Sequence, residues 1–416
     1  MTASEASKPT NAEPWVIIVG AGPAGLMLAL LLGQQGIPVQ VVELADGPDK
    51  RPRATHYSAP ANYELRRAGI LDEVQSQGFL PNGVSWRKLD TTYLAGLDNT
   101  VPDDKDDSLV CLPLHKLACV ILRALEQQPS VQISWGHKVL GVGQETDSKV
   151  AWVDVETATG TRRLQAPYVV GCDGANSQVR KSLFGSSFPG FTWNEQIVAT
   201  NTYYDFDKYG YHDANFIIHP EHWYMAARIS KDGMWRITYG ELTGLTNEEL
   251  IARQPMKFEK FLPGHEPPEA GAWKLDSISP YKVHQRLVEK MAVGHICLVA
   301  DAAHLCNPFG GLGLTGGIVD AGNLADCLIG IYQGKADDSI LDKYSEVRRQ
   351  KYNDIINPVS SANIRRLFAQ DPETALQDDA FLKMLHQGSA DTSFAKKLQL
   401  EIKSVMHDFT QYYKTS

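Results

Sequence analysis

Val16-Ile17-Ile18-Val19-Gly20-Ala21-Gly22-Pro23-Ala24-Gly25-Leu26-Met27-Leu28-Ala29-Leu30, closed further on by Val39-Gln40-Val41-Val42-Glu43, is the stretch whose reading decides the fold. The apolar run from Trp15 to Val19 suits a strand buried on both faces, and it breaks at the glycines into an apolar helix from about Ala24 to Gln35. The order is strand, glycine turn, helix, strand. Gly20 permits the tight turn, Gly22 lets the backbone approach a pyrophosphate, and Gly25 lets helix and strand pack closely. The helix N-terminus adds amide groups and positive potential. Glu43, ending the second strand, is placed to hold the hydroxyls of an adenosine ribose. A glycine turn before a core helix also occurs without any ligand. The whole strand-helix-strand-Glu context points to a dinucleotide and leaves FAD and NAD both open.

With 416 residues, 43% of them hydrophobic, the chain has ample core and suits two or three domains. A formal net charge of -9 argues against phosphate backbones and anionic membranes, so nucleic acid is not an expected partner. Cys111, Cys119, Cys172, Cys297, Cys306 and Cys327 form no C-x-x-C pair and fall mostly in apolar segments. They read as reduced, core-filling residues of a reducing compartment, with no structural metal. Met1 to Glu13 lacks the regions of a signal peptide, and the strongest apolar run, Leu26 to Leu32, is too short to span a bilayer. The expectation is a soluble cytoplasmic protein, monomer or homodimer, with a short disordered N-terminal tail.

Beyond Glu43, the stretch Asp46 to Tyr57 is turn-rich and polar, held extended by Pro48 and Pro52. Arg51 and Arg53 within it are either solvated or turned toward a cofactor. Ala61 to Gln75 reads as an amphipathic helix interrupted at Gly69. Gly83 to Asp107 consists of short strand-like pieces ending in the acidic run Asp103 to Asp107, read as a solvated loop without chemistry. Leu114 to Gln128 is helical, with Leu117, Ile121 and Leu125 on one face. Strands near Val131 to Trp135, Lys138 to Val142, Val150 to Glu156 and Arg162 to Ala166 read as a small antiparallel layer. In Tyr168 to Arg180 a buried strand stops, Asp173-Gly174 turns, and Ser177 caps a helix.

Phe184 to Asp276 is aromatic-rich and strand-like, the texture of a second, mainly antiparallel domain without long helices. Its clearest element is the hairpin His222 to Ile229, turn Lys231-Asp232-Gly233, Met234 to Tyr239. Period two puts His222, Tyr224 and Arg228 on one face and Trp223, Met225 and Ile229 on the other. Gly294 to Leu328 returns to buried strand, delivering Asp301 to a strand end before the glycine-rich loop of Gly310, Gly311 and Gly313 opens a helix. Such strand ends are where open α/β sheets bind ligands. Ala336 to Ser416 reads as mainly helical, with Leu341 to Ile356 a long amphipathic helix.

Gly20-x-Gly22-x-x-Gly25 with Glu43, Asp173-Gly174, and Asp301 with the Pro308 to Gly317 loop stand in a fixed order that resembles the group A flavoprotein monooxygenases, the FAD hydroxylases built like 4-hydroxybenzoate hydroxylase. Arg51-Pro52-Arg53-Ala54 and Ala302-Ala303-His304-x-x-x-Pro308-Phe309-Gly310-Gly311-x-Gly313 resemble the phenol and salicylate hydroxylase branch, and Gly311 to Gly317 resembles fungal secondary-metabolite members. The resemblance implies an α/β fold: a Rossmann-like, GR2-type FAD-binding domain (14–82, 106–185 and 283–335), an inserted mainly antiparallel substrate domain (83–105 and 186–282), and C-terminal helices (336–416). It implies that Gly20, Gly22, Gly25 and Glu43 hold the ADP half of FAD and that Asp301 binds the ribityl chain. Pro308, Gly311, Leu312 and Gly313 would approach the isoalloxazine, Asp173 and Gly174 would support FAD and NAD(P)H docking, and Arg53 would sit near the flavin. Two positions depart from the pattern: Ala300 stands where Gly is usual, which crowds the strand end, and Leu114 replaces a polar residue that reaches FAD, with His115 beside it.

The implied activity is that of an FAD-dependent, NADPH- or NADH-consuming monooxygenase, which oxygenates an electron-rich aromatic through a flavin C4a-hydroperoxide using O2. A phenolic substrate becomes more nucleophilic as it loses its proton, so the pocket needs a base or a cation. His222, Tyr224, Arg228 and Tyr239 are the candidates, because the second domain's sheet should cover the flavin. His56 and Tyr57 are further candidates, and His304 reads as a structural helix-start residue. The alternatives are another FAD oxidoreductase (halogenase, dehydrogenase, epoxidase or Baeyer-Villiger type) or a flavin-binding protein without catalysis. A halogenase's Trp-x-Trp-x-Ile-Pro element is not in the chain.

Overall fold

Val16–Val19 lies in the middle of a six-stranded sheet of order Ala292–Val293, Ile296–Leu298, Tyr168–Gly171, Val16–Val19, Val39–Val42, Val131–Ser134, parallel except at its first pair. The computed structural model describes residues 13–51, 55–145, 149–389 and 391–414. Val16, Ile17 and Ile18 are fully buried, as a strand covered on both faces requires. The helix Pro23–Gly33 packs on this sheet beside the long helix Leu312–Tyr332, in one continuous apolar core. Leu312–Tyr332 is long and apolar enough to cross a membrane by length and composition, but 83% of its most apolar window is buried inside the protein, as in a core helix. Val131–Ser134 belongs here, paired with Val39–Val42, and not to the small antiparallel layer. That layer contains only Lys138–Gln144, Ala151–Thr157 and Gly160–Ala166.

The eight-stranded sheet has the order His304–Leu305, Trp273–Leu287, Gly190–Tyr204, Met234–Glu241, Tyr224–Arg228, Ala214–Ile218, Gly83–Lys88, Tyr93–Asp98. The expected hairpin forms, with Tyr224 opposite Tyr239 and Arg228 opposite Trp235, and His222 lies just before its first strand. Against the expectation of strands rather than long helices, this stretch contains the helix Asn247–Phe261, which opens on a complete capping box between Thr246 and Glu249. Its Leu250, Phe258 and Phe261 pack on Tyr224, Trp235 and Tyr239 and cover one face of the sheet. The other face carries Trp86, Ile197, Phe216, Trp223 and Val283, which pack against Phe309 and the C-terminal helices.

Gly69, at φ +73°, splits its segment into the helices Ala59–Arg67 and Leu71–Gln77. The helix expected to end near Ile356 continues: Ser339–Lys351 runs through the wide turn Tyr352–Ile356 into Asn357–Phe368. The acidic run is not a free solvated loop. Asp106 pairs with Arg66 at 2.7 Å, Asp107 with Lys403 at 2.6 Å, and Asp103 with Lys396, which pins it to helices at both ends of the chain. Such exposed pairs each contribute little stability.

A buried polar junction ties these parts together. The Asp320 carboxylate, on Leu312–Tyr332, accepts Arg348 Nε–H at 2.6 Å, the Ala300 backbone N–H at 3.1 Å, and the His304 Nε2 hydrogen bond at 2.7 Å. Burial pushes Asp320 up, but His304 and Arg348 outweigh it and hold the carboxyl at about 2. Asp320→Asn leaves Arg348 buried beside a neutral partner, so the FAD-free protein should lose roughly 3–5 kcal/mol in urea unfolding. Because the folded pKa is depressed, Asp320's contribution is present above the unfolded value of about 4 and is lost as pH falls toward about 2. An unchanged unfolding midpoint in the variant would contradict this role.

Candidate active site

The glycine turn is held by two backbone contacts. A Cβ on Gly20, which has φ +105°, would meet the Cys172 carbonyl oxygen at 2.5 Å, and one on Gly25 would meet the Gly20 carbonyl oxygen at 2.1 Å. Both glycines are therefore dictated by the protein's own packing, and the first packs directly on the backbone of the Asp173-Gly174 turn. Gly22 is different: a Cβ there would meet nothing within 4 Å. It opens Pro23–Gly33 without a side-chain cap, so the first-turn amides face open space. Glu43 stands at the rim of this turn, accepting the Ala21 N–H at 2.7 Å and the Ala45 N–H at 2.9 Å.

Asp173 accepts the Gln178 and Val179 N–H groups at 2.6 and 3.2 Å through one oxygen, while its other oxygen is buried without a partner; burial raises its pKa. Arg180, in the helix that follows, donates to the carbonyls of Ala175 at 2.7 Å and Ala302 at 3.1 Å, linking this turn to the one bearing Asp301. Asp301 itself is exposed, directly beyond a strand end anchored by Val299 N–H to the Gly171 carbonyl at 3.0 Å. Ala300 does crowd this point. Its φ of +56° lies in the left-handed region, at a cost of about 1–2 kcal/mol for a non-glycine residue. Gly317 makes room for its methyl, since a Cβ on Gly317 would come within 2.7 Å of it.

The next loop is fixed from below. Gln285, buried, accepts the Asn307 N–H at 2.6 Å and donates to Asn357 Oδ1 at 2.7 Å and to the Ser360 and Ser361 hydroxyls. This braces the segment from which Pro308, Phe309, Gly310 and Gly311 emerge. Gly310 (φ +120°) and Gly311 (φ +66°) use conformations that glycine adopts freely, and Gly311 begins Leu312–Tyr332, again with no side-chain cap. Gly313 follows in the first turn, 3.5 Å from Cys306 Sγ by its Cβ position.

Phe309 meets the sheet at Trp223, with ring centroids 5.5 Å apart, so the face nearest this loop is the one bearing Trp223 and Met225. The expected catalytic group lies elsewhere. Tyr224 and Tyr239 are fully buried beneath Asn247–Phe261 on the opposite face. Arg228 shares that face, with its guanidinium 4.7 Å from the Trp235 ring, and is ion-paired with Asp213 at 2.6 Å and with Asp207. His222 stacks on His219 outside the strand. The alternation was right and the choice of face was not, because the helix Asn247–Phe261 occupies the polar-aromatic side. Arg53 lies outside the described residues, and Arg51 is an exposed partner of Asp49 at 2.8 Å. Leu114 packs against the core, and His115 next to it has a buried Nδ1 without a partner.

The face toward the loop offers a different polar group. Arg236 alternates with Trp235 and Ile237, pairs across strands with Asn201, and donates Nε–H to Asn201 Oδ1 at 2.8 Å. Tyr281 is on the same face, opposite fully buried Ile197, yet is 38% accessible. The surrounding protein pushes its hydroxyl up to about 12, against the pull of Arg236. The signal for Arg236 lies in the period-two pattern of Met234 to Tyr239, which puts it on the face opposite to that of Tyr239.

Open space at Gly22 and two uncapped helix starts fit an extended anionic cofactor. Comparison with known proteins agrees. The family profile described as FAD binding domain matches residues 13–358. Para-nitrophenol 4-monooxygenase of Pseudomonas sp. (strain WBC-3) is 36% identical over 94% of this chain and 95% of its own length. 6-Hydroxy-3-succinoylpyridine 3-monooxygenase HspB of Pseudomonas putida (strain DSM 28022 / S16) is 33% identical over 87% and 91%. The crystal structure of p-nitrophenol 4-monooxygenase PnpA from Pseudomonas putida DLL-E4 superposes with a TM-score of 0.88 at 34% identity, covering 94% of this chain and 98% of that one.

The two kinds of glycine separate experimentally. Gly22→Ala should leave the FAD-free protein within about 0.5 kcal/mol of the parent while sharply reducing the FAD retained on purification. Gly25→Ala should cost roughly 3 kcal/mol or more even without FAD, because its Cβ meets backbone. Equal stability of the two FAD-free variants would contradict the distinction.

Proposed function

The chain belongs to the FAD-binding-domain family of flavin-dependent aromatic monooxygenases, and from that membership we propose that it oxygenates a phenol at the ring carbon para to the hydroxyl, displacing the substituent that this carbon carries. It is an FAD enzyme acting on phenolic compounds with O2 and NAD(P)H. The observation that carries the finer reading is a shared position. The 4-position of para-nitrophenol bears the nitro group, and the 3-position of 6-hydroxy-3-succinoylpyridine bears the succinoyl group, para to the 6-hydroxyl. Two relatives that align along nearly the whole chain thus carry names that put the oxygen on an already substituted carbon.

The atoms balance for a nitrophenol. A ring-carbon to oxygen bond forms, the carbon to nitrogen bond breaks, and the nitro group departs as nitrite with the bond's electron pair. The ring is left as a quinone. One O2 and one NAD(P)H are consumed, and the second oxygen ends as water. FAD, when bound, supplies the activation of O2 and the transfer of one oxygen atom to the ring. The chain's residues supply position and surroundings. Gly22 and the uncapped helix starts would admit the phosphates, and Asp301 with the Pro308 to Gly313 backbone would border the flavin end. Trp223, Met225 and Phe309 form an apolar wall that excludes water from the reacting ring. Arg236, braced by Asn201, and Tyr281 form a polar pole suited to oxygens of a charged substrate.

FAD-loaded protein supplied with NAD(P)H and para-nitrophenol under air should release nitrite in step with NAD(P)H oxidation, and meta-nitrophenol should release none. Oxygenation of para-nitrophenol with the nitro group retained would overturn the displacement reading, and so would NAD(P)H oxidation that no para-substituted phenol accelerates.

A further inference from the structure

We propose that Nε2 of His56 receives the hydrogen of the substrate's ring hydroxyl, an assignment that rests on the phenol reading above. His56–Tyr57 is a short strand paired antiparallel with Val110–Cys111. It lies along the start of Leu312–Tyr332: the His56 carbonyl oxygen is 3.9 Å from the Cβ position of Gly311, and Ser58 Oγ shares a 2.9 Å hydrogen bond with Thr315 Oγ1. Tyr57 donates to the Leu112 carbonyl at 2.8 Å from full burial, which fixes the strand and leaves its hydroxyl occupied. The imidazole is thus carried on a short strand whose backbone lies against the start of Leu312–Tyr332.

The imidazole is half satisfied. Nδ1 shares a 2.8 Å hydrogen bond with Thr55 Oγ1, while Nε2 is shut off from bulk water and has no hydrogen-bond partner among the described residues. When Nδ1–H donates to Thr55, Nε2 presents a lone pair. Leaving a buried acceptor unpaired is costly, and a hydroxyl brought by the substrate would recover that cost. Burial lowers the imidazole to about 4, with Asp213 pulling it up, so it is in its accepting form at neutral pH. Among the described residues the titratable groups facing it are Asp213, itself bound to Arg228 Nε at 2.6 Å, and the Cys111 thiol on the paired strand, pushed up to about 12 by burial. The adjoining start of Leu312–Tyr332 brings uncharged groups, Gly311 beside the His56 backbone and Thr315 bonded to Ser58.

The step balances simply. The substrate O–H bond breaks, an Nε2–H bond forms, and the electron pair stays on oxygen as phenolate. The imidazolium so formed is stabilised by the adjacent phenolate and by Asp213, and its proton is released to solvent as product leaves. Electron density then rises at the para carbon where oxygen is delivered. His56 touches the substrate in this scheme and is a catalytic residue.

His56→Gln tests it, because the amide can still accept a hydrogen bond but cannot take up the proton. In FAD-loaded enzyme at about pH 6, where para-nitrophenol arrives protonated, kcat/KM should fall roughly 100-fold; at about pH 9, where it arrives ionised, the fall should be under about threefold. A second measurement uses no turnover. Para-nitrophenol bound to the parent holoenzyme at about pH 6 should show the yellow nitrophenolate band, and bound to the variant the band of the neutral phenol. Equal losses at both pH values, or neutral phenol bound to the parent enzyme, would overturn the assignment. If the nitrophenolate band forms on the parent and not on the variant while nitrite is never released, the displacement reading falls and the role of His56 stands.

Discussion

The contact on which the rest depends is the Cys172 carbonyl pressed against Gly20, with the Gly20 carbonyl pressed in turn against Gly25. No side chain fits at either point. This stacking brings the ends of two parallel strands and one helix start to within backbone contact, and it leaves the first-turn amides of Pro23–Gly33 aimed at open space. The same register passes sideways. Val299 N–H bonds to Gly171, so the strand that carries Asp301 ends level with the glycine turn, and Arg180 ties the Asp173 and Asp301 turns together. Three sequence-distant motifs form one rim because their strands are neighbours in one sheet.

The second half of the site is assembled by buried polar groups. Asp320 holds Ala300, His304 and Arg348, and Gln285 holds Asn307, Asn357 and two serines. Between them these junctions set the path of residues 300–313 between the two sheets. The left-handed Ala300, accommodated by Gly317, shows how closely that path is determined, since an alanine would not keep this conformation without surrounding constraint. An oxygenating enzyme needs such rigidity where cofactor, ring and a water-excluding wall meet.

The glycine turns and strand ends were legible in the sequence because their determinants are local. Glycines at fixed spacing, a strand-ending Asp and an Asp-Gly turn each constrain a few consecutive residues, and each lies where the spacing put it. The substrate half was not, because period two separates two faces without saying which one is covered. The helix Asn247–Phe261 decided that. It took Tyr224 and Tyr239 into an apolar core and left Arg236, which looked like an ordinary strand arginine, facing the loop. Val131–Ser134 was misassigned for the same kind of reason: its partner, Val39–Val42, is far away in sequence. The acidic run read as solvent-facing because its cationic partners, Arg66, Lys396 and Lys403, come from remote helices.

The dinucleotide cradle, the braced loop and the aromatic face of the sheet serve one chemistry, the placing of one atom of O2 on the ring of a phenol. Turnover of a para-substituted phenol under 18O-labelled O2, followed by mass analysis of the rapidly reduced product, tests that claim most directly. One labelled oxygen per product molecule, at one NAD(P)H consumed, is the predicted result. Recovery of the consumed O2 entirely as hydrogen peroxide, with the phenol unchanged, would contradict it.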